Sequence, residues 1–158
     1  MIRVLFICLG NICRSPAAEG IMKSLILNNN LQNEISVDSA GTISYHTGES
    51  PDSRMLKHAA QKGYELNHKA RKFNPNSDFI EFDYILTMDD QNYKDIKKLD
   101  KRNLYSTKIY KIADFSSDPK VKSVPDPYNG GPEAFDNVID ILMDACSNLL
   151  NKIKDEFK

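Results

Sequence analysis

From residue 2 to residue 9 the chain is apolar almost without interruption, with Val4, Phe6 and Ile7 prominent. That is the pattern of a strand buried on both faces, as parallel sheets make them. After a short loop, Ser15 and Pro16 read as an N-cap followed by proline at the first helical position. Ala17, Ala18, Ile21, Met22, Leu25 and Ile26 then mark one helical face until an asparagine run at residues 28–30. A short strand is predicted over 35–39 and, past a loop through Gly41 and Gly48, a helix over about 51–62 with Gly63 as its stop. Tyr84, Ile85 and Leu86 give a third strand within 83–88, followed by a polar helix whose inner stripe is Tyr93, Ile96 and Leu99. Residues 108–112 can supply a fourth strand, and the stretch 114–131, with Pro119, Pro125 and Pro127, reads as a long loop. The last helix is the most legible: Phe135, Val138, Ile139, Leu142, Ala145, Cys146, Leu149, Leu150 and Ile153 keep three-four spacing, so it is expected to pack on the sheet. Alternating strands and helices predict an α/β fold, an open, mostly parallel four-stranded sheet with helices on both faces and a crevice at the carboxyl ends of its strands. Cys8, at the end of the first strand, is placed in that crevice.

Composition narrows the function classes. With 158 residues, 41% hydrophobic and 27% charged, the chain is expected to be one packed domain over 1–158. Twenty-one basic against 22 acidic residues leave a net charge of -1, which disfavours nucleic acid as a partner. Three cysteines do not suit the disulfide framework of a secreted mini-protein, so a reducing, cytoplasmic location is expected. The early apolar run is far shorter than the roughly 20 residues of a membrane span, and no membrane insertion is expected.

Residues 8–16 read C-L-G-N-I-C-R-S-P and lead straight into the first helix. Free amides of such a loop and of a helix N-terminus, together with the helix dipole, favour a bound phosphate. Gly10 and Asn11 both tolerate the left-handed backbone of a tightly curled loop. Arg14 adds a fixed fork of donors suited to two phosphate oxygens. A cysteine in such surroundings is held as a nucleophilic thiolate, and one beneath a phosphate can attack phosphorus in line. Cys8 alone reads as well as a buried strand cysteine, and a Cys followed by Arg six positions later recurs by chance. Strand end, Gly-Asn loop, Arg and helix start, in that order, decide for the functional reading.

This motif, with A-A-E after it, resembles that of the low-molecular-weight protein tyrosine phosphatases. D-S-A-G-T at 38–42, P-D-x-R at 51–54, H-x-A-R at 68–71, T-M-D at 87–89 and D-P-Y at 126–128 match in order and spacing. The resemblance implies a metal-independent enzyme with a phosphate-binding loop after the first strand, with Cys8 as nucleophile, Arg14 as phosphate ligand and transition-state stabiliser, and Asp126 as general acid and base. It places Leu9, Gly10, Asn11, Ile12, Cys13 and Ser15 in the loop, with Ser15 donating to the Cys8 thiolate and Ser39 and His68 supporting Asn11. Tyr45, Tyr128 and Asn129 fall at the pocket mouth; many relatives have a second tyrosine where this chain has Asn129. The implied partners are phosphotyrosine-bearing proteins, a tyrosine kinase among the candidates, acted on by a monomer. No cofactor is implied, and His46 and His58 lack metal-ligand spacing, so no metal is assigned. Cys146 belongs to the core face of the last helix.

Four rivals share parts of this picture. An arsenate reductase needs further cysteines in a mobile segment, and none lies between residues 14 and 145. Protein arginine phosphatases tend to carry Thr where this chain has Ile12. A phosphotyrosine reader needs neither nucleophile nor acid, and a cysteine phosphocarrier has no evident use for Arg14 and Asp126 as a pair.

Overall fold

The computed structural model describes residues 1–157. In chain order the elements are β1 (Ile2–Cys8), α1 (Arg14–Asn28), β2 (Ile35–Gly41), α2 (Ser53–Gln61), α3 (Asp78–Glu81), β3 (Tyr84–Thr87), α4 (Asp90–Leu99), β4 (Ile109–Lys111) and α5 (Pro132–Asp155). The four strands are all parallel, in the order β2-β1-β3-β4. Cys8 pairs with Gly41 and Ile7 with Thr87, so three strands end together around the nucleophile candidate.

The unbroken apolar run of β1 is explained by its two covered faces. Val4, Phe6 and Cys8 enter the core beneath α1, α2 and α5, whereas Leu5 and Ile7 enter a second core with Phe79 of α3, Ile85 and Ile96 of α4. The apolar stripe of α5 from Phe135 to Ile153 is buried throughout. It lies along α1, α2 and a 3-10 turn at Ile112–Phe115, and its stripe joins Val4 and Phe6 of β1 and Tyr84 and Leu86 of β3 in one core, so it packs on the sheet as its spacing suggests. Among the described residues no helix is long and apolar enough to cross a membrane.

Four boundaries differ from the sequence reading. α1 begins at Arg14 with Cys13 at the cap position and no side-chain cap bond, so Ser15 is not the N-cap. β2 continues through Ala40 and Gly41, residues of poor strand propensity, because they pair with β1 and Gly41 also bridges to Lys72. The helix predicted over 51–62 starts at Ser53, where the Asp52 carboxylate accepts from the Arg54 amide and caps it. The loop predicted from residue 114 starts after the 3-10 turn, whose end is tied to α5 by Asn148 Nδ2 donating to Phe115 O at 2.7 Å. The single turn of α3 carries too few residues for a helical period to register.

Candidate active site

Residues 9–13 join β1 to α1 by curling back over the end of the sheet. Asn11 makes the curl possible by taking the left-handed conformation, at φ 58°. Gly10 does not take it; its missing side chain matters because a Cβ there would stand 3.0 Å from Cδ2 of the His46 ring. Gly41 is tighter still, since a Cβ would meet the Leu9 carbonyl oxygen at 2.7 Å, and backbone on both sides leaves nothing to give way. Gly41→Ala is expected to lower unfolding free energy by about 1–3 kcal/mol, the usual cost of overpacking. Urea denaturation measures this, and a variant as stable as the parent would contradict the close packing of β2 on the loop.

The side chain of Asn11 fixes the proton arrangement beneath the loop. Its Oδ1 accepts from the Arg71 amide at 2.9 Å and from His68 Nε2 at 2.8 Å. The Arg71 amide can only donate, so the Asn11 carboxamide has one orientation and Nδ2 must donate to Ser15 Oγ at 2.7 Å and Ser39 Oγ at 3.0 Å. Both hydroxyls keep one hydrogen to give. Ser39 gives its own to the buried Glu19 carboxylate at 2.7 Å, and Ser15 Oγ stands 3.0 Å from Cys8 Sγ, placed to give its own to the sulfur. Ser15 is therefore consumed by the sulfur rather than by helix capping. Glu19 is also within 3.1 Å of His68 Nδ1 and 2.6 Å of Lys23 Nζ, so its buried charge is paired. His68, whose side chain is only 10% exposed, is thereby an interior strut rather than a surface residue.

Arg14 is 3% exposed and aimed by two distant residues. Its Nη1 donates to Asp89 Oδ2 at 2.7 Å and to the Val124 carbonyl at 3.1 Å. Burial works against the guanidinium charge, but the sulfur of Cys8 and the carboxylates of Asp89 and Asp126 outweigh it and raise the Arg14 pKa. Asp89 is itself fixed, because its other oxygen accepts from the Asn92 amide at 2.7 Å in the capping box of α4. Arg14 Nη2 lies 3.7 Å from Asp126 Oδ2, whose side chain is 47% exposed.

Above the loop opens a cavity of about 320 Å³. Cys8, Leu9, Gly10, Ile12, Cys13 and Arg14 form its floor and inner wall. Its mouth is made by Tyr45, Tyr128, Asn129 and Asp126, together with Ile43 and His46. Tyr45 is 82% exposed and meets the His46 ring edge-on, while His46 is paired through Nδ1 with Glu49. Cys13 is held as the thiol, burial raising its pKa well above the ordinary range with help from Asp52, Cys8 and Asp126. A cysteine sulfur, a cationic fork and a carboxylate thus face one space.

Asp89, Ile43 and His46 were not assigned a part in this site from the sequence. Asp89 stands within the matching T-M-D segment, which was a usable signal. His46 was weighed only as a metal ligand, and its spacing to Gly10 carries no local sign of their contact.

The family model described as low molecular weight phosphotyrosine protein phosphatase matches residues 3–158. The human low molecular weight phosphotyrosine protein phosphatase is 39% identical over 151 residues, covering 94% of each chain. A protein tyrosine phosphatase of Entamoeba histolytica, crystallised with Hepes in the active site, superposes with a TM-score of 0.95 at 46% identity over the full length of both chains. A Drosophila arginine phosphatase superposes with a TM-score of 0.89 at 32% identity over 98% of each chain.

Proposed function

Since the chain belongs to the low molecular weight phosphotyrosine protein phosphatase family, we propose that it hydrolyses phosphotyrosine in proteins, and small aryl phosphates, through a cysteinyl-phosphate formed on Cys8. In this reading residues 1–158 act as one domain. The Cys8 sulfur attacks phosphorus, forming the S–P bond as the P–O bond to the aryl group breaks, and Asp126 gives its proton to the departing oxygen. Water then attacks the cysteinyl-phosphate, Asp126 takes a proton from it, and the S–P bond breaks to return the thiolate to the Ser15 hydroxyl. Arg14 and the loop amides hold the equatorial oxygens, where charge gathers in both transition states. Ile12, Tyr45 and Tyr128 supply apolar and aromatic walls for the tyrosyl ring.

The observation that carries this reading is the convergence of Cys8, Arg14 and Asp126 on one cavity, with the carboxylate 3.7 Å from the guanidinium. The Hepes in the active site of the Entamoeba relative is consistent with it, because Hepes carries a sulfonate, a tetrahedral oxyanion like phosphate. Asp126→Ala is expected to lower kcat/KM for phenyl phosphate by about 10²–10³, within the range a positioned general acid contributes. Steady-state rates without added metal measure this; a loss smaller than threefold would remove Asp126 from the acid's role. The arginine phosphatase reading rests on the Drosophila structure. Ile12, apolar and on the cavity wall, favours the aryl ring. Parallel assays on phosphotyrosine and phosphoarginine peptides decide between the two, with preference for phosphotyrosine expected.

A further inference from the structure

The P-D-x-R segment at 51–54 has no part in the mechanism above, yet it links the phosphate loop to the loop that bears Asp126. The Asp52 amide donates to the Ile12 carbonyl at 2.8 Å, which ties the segment to the phosphate loop. The Asp52 carboxylate, 10% exposed, receives Arg54 Nε at 3.1 Å and Nη2 at 2.9 Å, a two-point contact that fixes the plane of the guanidinium. The guanidinium lies over two rings: its carbon is 4.7 Å from the centre of Phe135 and 5.3 Å from the centre of Tyr128. Phe135 is buried at the start of α5 and cannot move without disturbing the core. Tyr128 is half exposed and carries the next link, since its amide donates to Asp126 Oδ1 at 3.1 Å. The other oxygen of that carboxylate is the one beside Arg14.

We propose that Arg54 is a positioning residue for the general acid: pinned by Asp52 and backed by Phe135, its guanidinium is the platform on which Tyr128 lies, and through Tyr128 it fixes the Asp126 carboxylate over the phosphate loop. This rests on the reading of Asp126 as the acid. The cation–ring contact favours one placement of Tyr128, and with it one placement of the loop that bears Asp126. The same Asp52–Arg54 unit touches the phosphate loop at Ile12 and the acid loop at Tyr128, so nucleophile and acid are referred to one rigid part.

Acid catalysis matters most when the leaving group is poor, and this separates the proposal from a general loss of structure. Arg54→Ala is expected to lower kcat/KM for phenyl phosphate about tenfold, part of the 10²–10⁴ a well-placed acid supplies, with less than about threefold loss for 2,4-dinitrophenyl phosphate, whose leaving group needs little protonation. In an Asp126→Ala background the same substitution is expected to cost less than about twofold, because the residue through which it acts is gone. Equal losses on both substrates, or an undiminished loss in the Asp126→Ala background, would overturn the proposal while leaving the acid intact. If Asp126→Ala itself shows no dependence on the leaving group, the acid assignment fails and the positioning role falls with it. A thermal melt checks that each variant is folded. Should Arg54→Ala not fold, Arg54→Lys carries the same comparison, since it keeps a cation near the rings but loses the two-point contact with Asp52. The expected loss is then smaller, with the same selectivity for the poor leaving group, and parallel losses overturn the proposal.

Discussion

Cys8→Ser leaves no measurable turnover of aryl phosphates, an expected loss of at least about 10⁴-fold, because Cys13, the other sulfur lining the cavity, is held as the thiol by burial. A serine hydroxyl fits the space, but it is not ionised near neutral pH. In the proposed mechanism the Ser15 hydroxyl, 3.0 Å from the sulfur, donates to the thiolate, and a neutral serine in place of Cys8 has no such charge to receive it. The loop amides and Arg14 are untouched by the change, so the variant is expected to keep its affinity for inorganic phosphate. Steady-state kinetics together with phosphate titration by calorimetry separate the two functions. Turnover within tenfold of the parent would mean that water, rather than Cys8, attacks phosphorus.

Arg14→Lys is the second large effect, with an expected loss of about 10²–10⁴ in kcat, as for other donors aimed at a developing oxyanion. Lysine keeps the charge but offers a single point of contact. The guanidinium serves Asp89 at 2.7 Å and the Val124 carbonyl at 3.1 Å with one nitrogen, and has the other nitrogen toward the cavity and Asp126. An ammonium that holds Asp89 cannot also reach the phosphate; one that reaches the phosphate abandons Asp89 and the buried carbonyl. The second choice is also expected to lower stability by about 1–3 kcal/mol, the cost of an orphaned buried polar group. Rates and a denaturation curve measured on the same preparation test both parts. A kcat within tenfold of the parent would show that charge alone, without the fork, satisfies the transition state.

How much of this was legible in the sequence depended on whether a feature is local. β1 and α5 announce themselves because burial on two faces, or along one stripe, is written into successive residues. The same holds for the phosphate loop, whose ordered elements occupy nine consecutive positions. The start of α1 was misplaced because Ser15 and Pro16 form a good capping pattern, yet the serine hydroxyl is drawn to Cys8 and Asn11 by contacts across the loop. The strand character of Ala40 and Gly41 came from their partners, not from their own preference. The support of Asn11 by Ser39 and His68 spans 28 and 57 residues, and only the family resemblance suggested it. Asp89, 75 residues from Arg14, has no periodicity that could reveal the contact. The Asp52–Arg54 unit lay within a matching motif whose purpose is visible only where α2 meets the loop before α5.

The covalent step is the centre of this account, and it is tested by mixing the enzyme with an aryl phosphate, quenching in acid within the first turnover and mapping the protein by mass spectrometry. The account predicts a phosphoryl group on the peptide that contains Cys8, appearing with the first equivalent of phenol, present in the parent enzyme and absent from Cys8→Ser. Phenol release through the first turnover with no phosphoryl adduct on that peptide would contradict it.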